Sequence, residues 1–260
     1  MVFFMDQSSA YGQMNFNLPH DVIELPTRGL FYKSKKKSVK VGYLTAADEN
    51  IIANYLSGNK TKDGLALSLI RSKLYEPDLR PEELLTGDVQ AILLFLRNTS
   101  FGPEYTFNVT DPADGRKFEG TVLLDEINLK KNEFQPNENG EFVTKLPRTG
   151  AEVRLKPLTL FEYQEIGDRV DTYPTGMVAP KVTWTLQKMV TSIDGDIDKS
   201  KIVQFIEQMP IMDSKHIRKF MDDNEPSLDL RKEVIAPSGE KVTINVAFGV
   251  EFFRPFIWAF

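Results

Sequence analysis

The feature of this sequence that most constrains its fold is a succession of turn, strand and helix-start motifs that occurs twice. The first copy begins with LPTRG at 25–29 and continues through VKV to a helix start at Thr45. The second begins with LPRTG at 146–150 and reaches a helix start at Thr159. Proline fixes φ and glycine permits positive φ, so each copy opens with a tight corner. Each threonine is followed three residues later by an acid, which is capping-box spacing.

The spacing of these motifs favours one repeated unit. Gly150 lies 121 residues after Gly29, whereas Thr159 lies 114 residues after Thr45. The difference of seven residues equals the extra length of a lysine-rich loop in the first copy. Because turn and cap motifs are common, their chance recurrence is the alternative explanation.

Each copy ends in a predicted β-hairpin whose turn combines proline with glycine. The first hairpin is expected from Tyr105 to Leu124 around DPADG, and the second from Val234 to Val246 around APSG. The prolines of the two turns are 125 residues apart. The sequence therefore predicts an α+β fold of two related units, each with a Leu-Pro corner and short strands, a helical cluster and a β-hairpin.

Between corner and hairpin, apolar residues at helical spacing predict several helices in each unit. The first helix is expected to begin at Thr45 and to end at Gly58. The others are predicted at 65–74, 86–100, 159–170, 180–193, 198–209 and 213–223. The predicted boundaries are an N-terminal arm at 1–20, a first unit at 21–130, an asparagine-rich linker at 131–142 and a second unit at 143–260 that ends in an aromatic segment.

Composition excludes several classes of protein. The chain has no cysteine, which excludes disulfides and thiolate metal ligands. Its net charge of −5 argues against nucleic acid as a partner, because phosphate binding leaves a basic footprint. No apolar run approaches the roughly 18 residues of a membrane span, and the N-terminus lacks the pattern of a signal peptide. We therefore expect a soluble, intracellular-type chain.

The sequence contains little material for catalysis or metal binding. Its two histidines, His20 and His216, are too few for a histidine-rich metal site, and no nucleophile-elbow, metalloprotease or phosphate-loop motif occurs. Asp194, Asp196 and Asp198 occupy the first, third and fifth positions of a calcium loop, but its later glycine and glutamate are missing. A turn in which Gly195 ends one helix and Asp198 caps the next is the better interpretation. We expect no catalytic residue, no cofactor and no metal.

Three segments are candidates for binding a partner protein: the Leu-Pro corner, the lysine-rich loop after it and the aromatic C-terminal segment. Lysines suit an acidic partner surface, and aromatic side chains are enriched where interfaces are strongest. We expect the C-terminal aromatics to pack on the sheet of the second unit, with partner binding as the alternative. The candidate partner-binding residues are Leu25, Pro26, Arg28, Gly29, Phe31, Lys35, Lys36, Lys37, Phe252, Phe253, Phe256, Trp258 and Phe260.

The order of three motifs resembles a known family. LPTRGLFY at 25–32, LTAADEN at 44–50 and LTGDVQAILLFLR at 85–97 are similar to the baseplate hub family of T-even-type contractile-tailed bacteriophages. The resemblance implies a hub subunit or hub assembly factor, with other tail and baseplate hub proteins as partners and no catalytic residues to transfer. Some relatives carry Cys-Pro-x-Cys at the hairpin turns, which suggests zinc. Here the turns read DPAD and APSG, so we expect no zinc.

The resemblance predicts a non-enzymatic tail morphogenesis protein located in the virion's tail baseplate, or in the host cytoplasm during assembly. Whether it is a virion component or an assembly chaperone, and whether it is oligomeric within an assembly, stay open. One alternative is a hydrolase that uses Glu162, Glu165 and Asp168 as acid and base. Their spacing is typical of a solvated helix face, which argues against it. The other alternative is a host-factor binding module.

Overall fold

The computed structural model describes residues 19–57, 64–248 and 252–253. Within these ranges the chain forms seven α-helices and nine β-strands, and the strands make four small antiparallel sheets. The predicted α+β class is therefore confirmed. The strands are β1 (His20–Glu24), β2 (Ser38–Gly42), β3 (Glu104–Thr110), β4 (Lys117–Leu123), β5 (Phe142–Lys145), β6 (Glu152–Leu155), β7 (Val190–Ile193), β8 (Arg231–Ile235) and β9 (Lys241–Asn245). The helices are α1 (Ala46–Leu56), α2 (Gly64–Lys73), α3 (Thr86–Phe101), α4 (Leu160–Asp171), α5 (Lys181–Met189), α6 (Lys199–Glu207) and α7 (Ile211–Asn224).

Local sequence patterns explain how the first half begins. On β2, Val39 and Val41 are buried while Lys40 between them is exposed, which is the period-two pattern of a half-buried strand. Helix α1 then starts at the predicted cap, where the backbone N–H of Thr45 donates to the Asp48 carboxylate at 2.7 Å. The two extended segments and the helix start predicted for this region are confirmed.

Helix α3 lies at the centre of the first half. Its side chains Ile92, Leu93 and Leu96 are buried and recur at helical spacing. The helix ends before Gly102, whose φ of 77° lies in the left-handed region that suits glycine. The predicted helix at 86–100 is thus confirmed almost to the residue.

The predicted helix at 180–193 is wrong in its last four residues. Helix α5 ends at Met189, and the segment VTSI forms strand β7 instead, paired with β6. Val190 and Ser192 are buried and alternate with more exposed neighbours, so the period is that of a strand. Gly195 consequently follows a strand and its turn, and does not end a helix as expected.

Two hydrophobic clusters form the interior. The first is built around α1, α2, α3 and β2, and it also contains Leu228, Val234 and Val246 from the C-terminal part of the chain. The second is built around β5, β6 and helices α4 to α7. Hairpin β8–β9 therefore packs on the first cluster. Phe31 packs against both clusters, and its ring centroid lies 6.2 Å from that of Phe142.

The hairpins β3–β4 and β8–β9 are tied together at their turns. The Asp111 carboxylate accepts hydrogen bonds from the Ser238 backbone N–H at 3.0 Å and from its hydroxyl at 2.8 Å. Where the strands meet, a Cβ on Gly120 would lie 3.5 Å from Val234. A Cβ alone would thus contact Val234 at an ordinary distance, whereas a side chain larger than that of alanine would push the hairpins apart.

Backbone hydrogen bonds also join the two halves of the chain. The N–H of Leu160 donates to the carbonyl of Leu84 at 2.7 Å, and that of Lys130 donates to Ser227 at 2.9 Å. The predicted linker at 131–142 has no helix or strand before Phe142, where β5 begins. That the halves derive from one repeated unit stays a prediction.

In the part of the chain that the structure describes, no helix is long and apolar enough to cross a membrane. Over the same residues, no three histidine or carboxylate side chains are grouped so that they could hold a metal ion. In the turn at Asp194–Asp198, Asp196 forms an ion pair with Lys201, and Asp198 accepts a hydrogen bond from the backbone N–H of Ser200 at 2.8 Å. The capping role predicted for Asp198 is confirmed.

Candidate functional site

The Leu-Pro corner at Leu25–Gly29 is held by a buried aspartate of α3. The backbone N–H of Thr27 donates to Oδ1 of Asp88 at 3.0 Å, and the Thr27 hydroxyl donates to Oδ2 at 2.6 Å. The hydroxyl of Tyr32 donates to the same oxygen and accepts from the backbone N–H of Leu85 at 3.0 Å. Because all donors and the acceptor are buried, losing one partner would leave the others unsatisfied.

Burial shifts the acidity of this cluster. It raises the pKa of Asp88, and the hydrogen bonds from Thr27 and Tyr32 oppose that rise. Burial, together with the neighbouring charge of Asp88, also raises the pKa of Tyr32. Asp88 lies in the first turn of α3, where the helix dipole favours negative charge. The cluster is therefore a buried anchor for the corner.

The second corner, at Leu146–Gly150, is held in the same way by Asp213 in the first turn of α7. Asp213 accepts from the backbone N–H groups of Arg148 at 2.7 Å and Thr149 at 3.0 Å, and from the Thr149 hydroxyl at 2.8 Å. Burial alone would raise the pKa of Asp213, but these hydrogen bonds lower it overall.

Neither Asp88 nor Asp213 was predicted from the sequence to hold a corner. The sequence does contain a signal for them, because each aspartate is the third residue of a helix at a similar distance from a corner. Asp88 follows Thr27 by 61 residues, and Asp213 follows Thr149 by 64 residues.

The backbone of the first corner requires glycine at one position. Arg28 and Gly29 have φ of 49° and 73°, both in the left-handed region. A Cβ on Gly29 would lie 2.5 Å from the carbonyl oxygen of Lys36. The lysine-rich loop therefore folds directly onto this glycine, and the corner and the loop form one surface.

The candidate residues of the corner differ in exposure. Leu25, Pro26 and Gly29 are buried, and the side chains of Leu25 and Pro26 support the corner from within. Arg28 is exposed. Phe31 is half-buried and packs against Phe142 and Gly140, where it joins the two hydrophobic clusters.

The lysine-rich loop is partly neutralised by its own neighbours. Lys36 forms an ion pair with Glu76, whose other oxygen accepts from the backbone N–H of Lys40 at 2.9 Å. Lys35 is exposed and donates to the carbonyl of Leu30 at 3.0 Å, and Lys37 is also exposed. The charges left facing solvent therefore belong to Arg28 and to the other lysines of this segment, which are all exposed: Lys33, Lys35, Lys37 and Lys40.

A groove of about 270 Å³, hereafter the corner groove, lies between the first corner and the chain after β4. Its lining includes Arg28, Leu30, Leu129, Lys130 and Asn132. Leu30 is 46% exposed and Leu129 is 49% exposed. The Oδ1 atom of Asn132 is shielded from solvent and has no hydrogen-bond donor within the described residues. The groove thus presents apolar surface, positive charge and an unsatisfied amide.

The C-terminal aromatics lie elsewhere. Phe252 and Phe253 are buried in the first cluster, and the carbonyl of Phe252 accepts from Nε of Arg97 at 3.0 Å. The Phe252 ring lies 5.4 Å from Tyr105 of β3 and 4.8 Å from Phe248. These two phenylalanines pack against the first half, not on the sheet of the second unit as expected. Phe256, Trp258 and Phe260 lie outside the described residues.

The corner and the C-terminal segment do not form one site. The corner contacts α3 at Asp88, whereas the C-terminal segment contacts it at Arg97 and Phe101. At a rise of 1.5 Å per residue, Asp88 and Arg97 are about 14 Å apart along the helix.

The carboxylates considered for a hydrolase have structural partners. Glu162 accepts from the backbone N–H of Thr159 at 3.1 Å and pairs with Lys156, so it completes the cap of α4. Glu165 pairs with Lys188 at 2.8 Å. Asp168 is exposed.

His216 is engaged as well. Its Nε2 hydrogen-bonds with the Thr144 hydroxyl at 2.9 Å, and its ring stacks on Phe220. The histidine therefore joins α7 to β5.

Comparison with known proteins gives one result. The chain has no significant match among curated proteins or solved structures. A family model described as T4 bacteriophage base plate protein matches residues 27–254, which include the last three residues of the first corner, the whole second corner, the seven described helices and both proline-containing hairpins. The chain belongs to the T4 bacteriophage base plate protein family.

Proposed function

We propose that this protein is a baseplate hub protein, acting as a hub subunit or as a chaperone of hub assembly through contacts with other tail and baseplate hub proteins. The observation that carries the proposal is the family match over residues 27–254, which supports a structural role in the phage baseplate. The protein would act without catalysis, in the tail baseplate of the virion or in the host cytoplasm during assembly.

The corner groove is the proposed contact surface. It combines two partly exposed leucines, Leu30 and Leu129, with the cationic side chains of Arg28 and Lys130. Exposed apolar side chains provide burial area on association, and the charges around them favour a partner of opposite sign. The partner segment would therefore be acidic with an apolar anchor.

The way the corner is held favours this assignment. Its backbone is fixed by buried hydrogen bonds to Asp88 and by the close contact of Gly29 with the lysine-rich loop. A preformed surface loses little conformational entropy on binding, so more of its contact energy appears as affinity.

A paired substitution tests the surface. The variant Arg28→Glu/Leu30→Glu should lose co-purification with the other hub proteins and keep the circular dichroism and thermal midpoint of the unmodified protein, because both side chains are exposed. The control is Ile197→Glu, which places a charge at another exposed apolar residue and should leave binding unchanged. Unimpaired binding by the double variant would rule out the groove.

Mass spectrometry of purified phage particles separates the two roles. A hub subunit should be found at stoichiometric levels, whereas a chaperone should be absent from particles and present in assembly intermediates. Absence from both would contradict a role in hub assembly.

A further inference from the structure

A second pocket, of about 310 Å³, lies between the two halves of the chain. Its lining includes Thr86 at the start of α3, Tyr163 on α4, and Glu225 at the end of α7. Its volume is at the lower end of the range for ligand sites, so it suits one side chain or one small molecule. We call it the Glu225 pocket. It adjoins the corner groove at Ser227 but has different chemistry.

The Glu225 carboxyl has unused hydrogen-bonding capacity. Its Oε1 atom is shielded from solvent and has no hydrogen-bond donor within the described ranges. Buried carboxyl oxygens are ordinarily satisfied, because each can accept two hydrogen bonds and an unmade one is costly. A ligand with N–H donors would supply what this chain does not.

The charges around the pocket favour a cation. Burial raises the pKa of Glu225 to about 8; Lys130 opposes the rise, and the charges of Asp88 and Asp222 increase it. Tyr163 is 39% exposed as a whole, but desolvation of its hydroxyl raises its pKa to about 12, with further contributions from Glu225 and Asp222. The Tyr163 hydroxyl thus lies close to several carboxyl groups, whose negative charge a bound cation would offset.

The two cationic side chains near the pocket, those of Arg218 and Lys130, donate hydrogen bonds to acceptors other than Glu225. Arg218 lines the pocket, but its Nε donates to the carbonyl of Ser214 in its own helix at 3.3 Å. Lys130 donates from Nζ to the carbonyl of Asp222. Neither cation donates to Oε1 of Glu225.

We propose that the Glu225 pocket binds a guanidinium or primary ammonium group, with Oε1 of Glu225 as its principal acceptor. An arginine or lysine side chain of another protein carries this group, and so does a free diamine. The site does not depend on the corner groove. The failure of this proposal would therefore leave the proposed hub function unaffected, and the reverse also holds.

Titration of the full-length chain with small probes tests the site. N-acetyl-arginine amide should bind, and its neutral isostere N-acetyl-citrulline amide should not, as monitored by the ¹³C signal of the Glu225 carboxyl. Glu225→Gln, which keeps the shape and removes the charge, should weaken arginine binding by roughly tenfold or more. The control Glu207→Gln, at an exposed residue of α6, should bind as the unmodified protein does.

The pH dependence and a second probe complete the test. Arginine stays charged throughout, so its affinity should increase between pH 6.5 and 9 as Glu225 ionises. Putrescine is the probe for a free diamine, and N-acetyl-arginine amide is the probe for a protein side chain. Binding of either probe supports the site, and the probe that binds more tightly identifies which of the two classes of ligand the site prefers. Equal binding of the citrulline analogue, or unchanged affinity in Glu225→Gln, would overturn the proposal.

Discussion

Thr27 and Asp88 are joined by two hydrogen bonds although 61 residues separate them along the chain. The backbone N–H and the hydroxyl of Thr27 use both oxygens of one buried carboxyl group, at 3.0 and 2.6 Å. Because Asp88 belongs to the helix at the centre of the first hydrophobic cluster, this contact fixes the corner to the core. The proposed contact surface therefore depends on a residue that lies beneath it.

Asp88→Ala should destabilise the protein by about 3 kcal/mol, because it leaves donors of Thr27 and Tyr32 buried without an acceptor. Urea denaturation followed by circular dichroism measures the change. Asp168→Ala, at an exposed residue, should change stability by no more than about 0.5 kcal/mol. Equal stabilities of the two variants would contradict the anchoring role of Asp88.

Lys73→Met should cost about 3–5 kcal/mol, because it leaves Asp48 buried without its cation. The side chains of the pair are only 5% and 3% exposed. The matched control is Lys219→Met, which breaks the exposed pair with Asp223 and should cost at most about 1 kcal/mol. Chemical denaturation of both variants gives the comparison, and a similar small loss in each would contradict a stabilising pair.

The same pair predicts a dependence on acid. Burial alone would raise the pKa of Asp48, but Lys73 and Thr45 lower it below its ordinary value of 3.8. Stability from the pair is thus present above pH 3.8 and lost as the pH falls through the lowered pKa. The difference between Lys73→Met and the unmodified protein should accordingly shrink in acid.

Glu225→Gln should stabilise the protein at pH 8 and have little effect near pH 4. The folded-state pKa of Glu225 is raised from 4.5 to about 8, so stability is fully present below pH 4.5 and falls as the pH rises towards 8. The loss is at most about 1.4 kcal/mol per pH unit in that window. Thermal unfolding at a series of pH values measures it, and a pH-independent difference between the two proteins would contradict the assignment.

Arg97→Lys should loosen the attachment of Phe252 and Phe253. Three nitrogens of Arg97 donate to the carbonyls of Phe252, Gly102 and Glu104, at 3.0, 2.9 and 3.1 Å, and a lysine ammonium cannot match this planar arrangement. We expect a loss of about 1–3 kcal/mol and faster amide hydrogen exchange at 252–253. Amide exchange in strands β1 and β2 serves as the internal reference. Unchanged protection both there and at 252–253 would show that Arg97 does not hold Phe252 and Phe253 in place.

The local elements were largely predictable from sequence because they depend on neighbours in the chain. The capping boxes at Thr45 and Thr159, the apolar helix at Thr86–Phe101 and the proline-glycine turns all involve residues a few positions apart. The wrong prediction of a helix at Val190–Ile193 arose because the local pattern of this segment does not decide between helix and strand. Its three β-branched residues and Ser192 continue a helical pattern equally well, and pairing with β6 decides in favour of a strand.

The candidate surface was only half predictable. The sequence shows Arg28 and the following lysines as charged residues next to a predicted turn, so their exposure could be expected. The other side of the corner groove is formed by Leu129, Lys130 and Asn132, about 100 residues later in the chain. The Glu225 pocket gave no sequence signal, because its lining comes from α3, α4, α5 and α7. A lone glutamate before a proline has no visible chemistry until packing removes it from water.

By itself the sequence determined where most of the helices and strands begin, where the chain turns, and that the protein has an α+β fold with two similar corners. Capping, turn chemistry and hydrophobic period act over a few residues, so they can be recognised in the sequence. Only the tertiary structure decided that Asp88 and Asp213 hold the corners, that Phe252 and Phe253 belong to the first cluster, and that Glu225 faces a pocket. These outcomes depend on which distant residues share the interior, and burial there changes the pKa and the hydrogen bonding of each group.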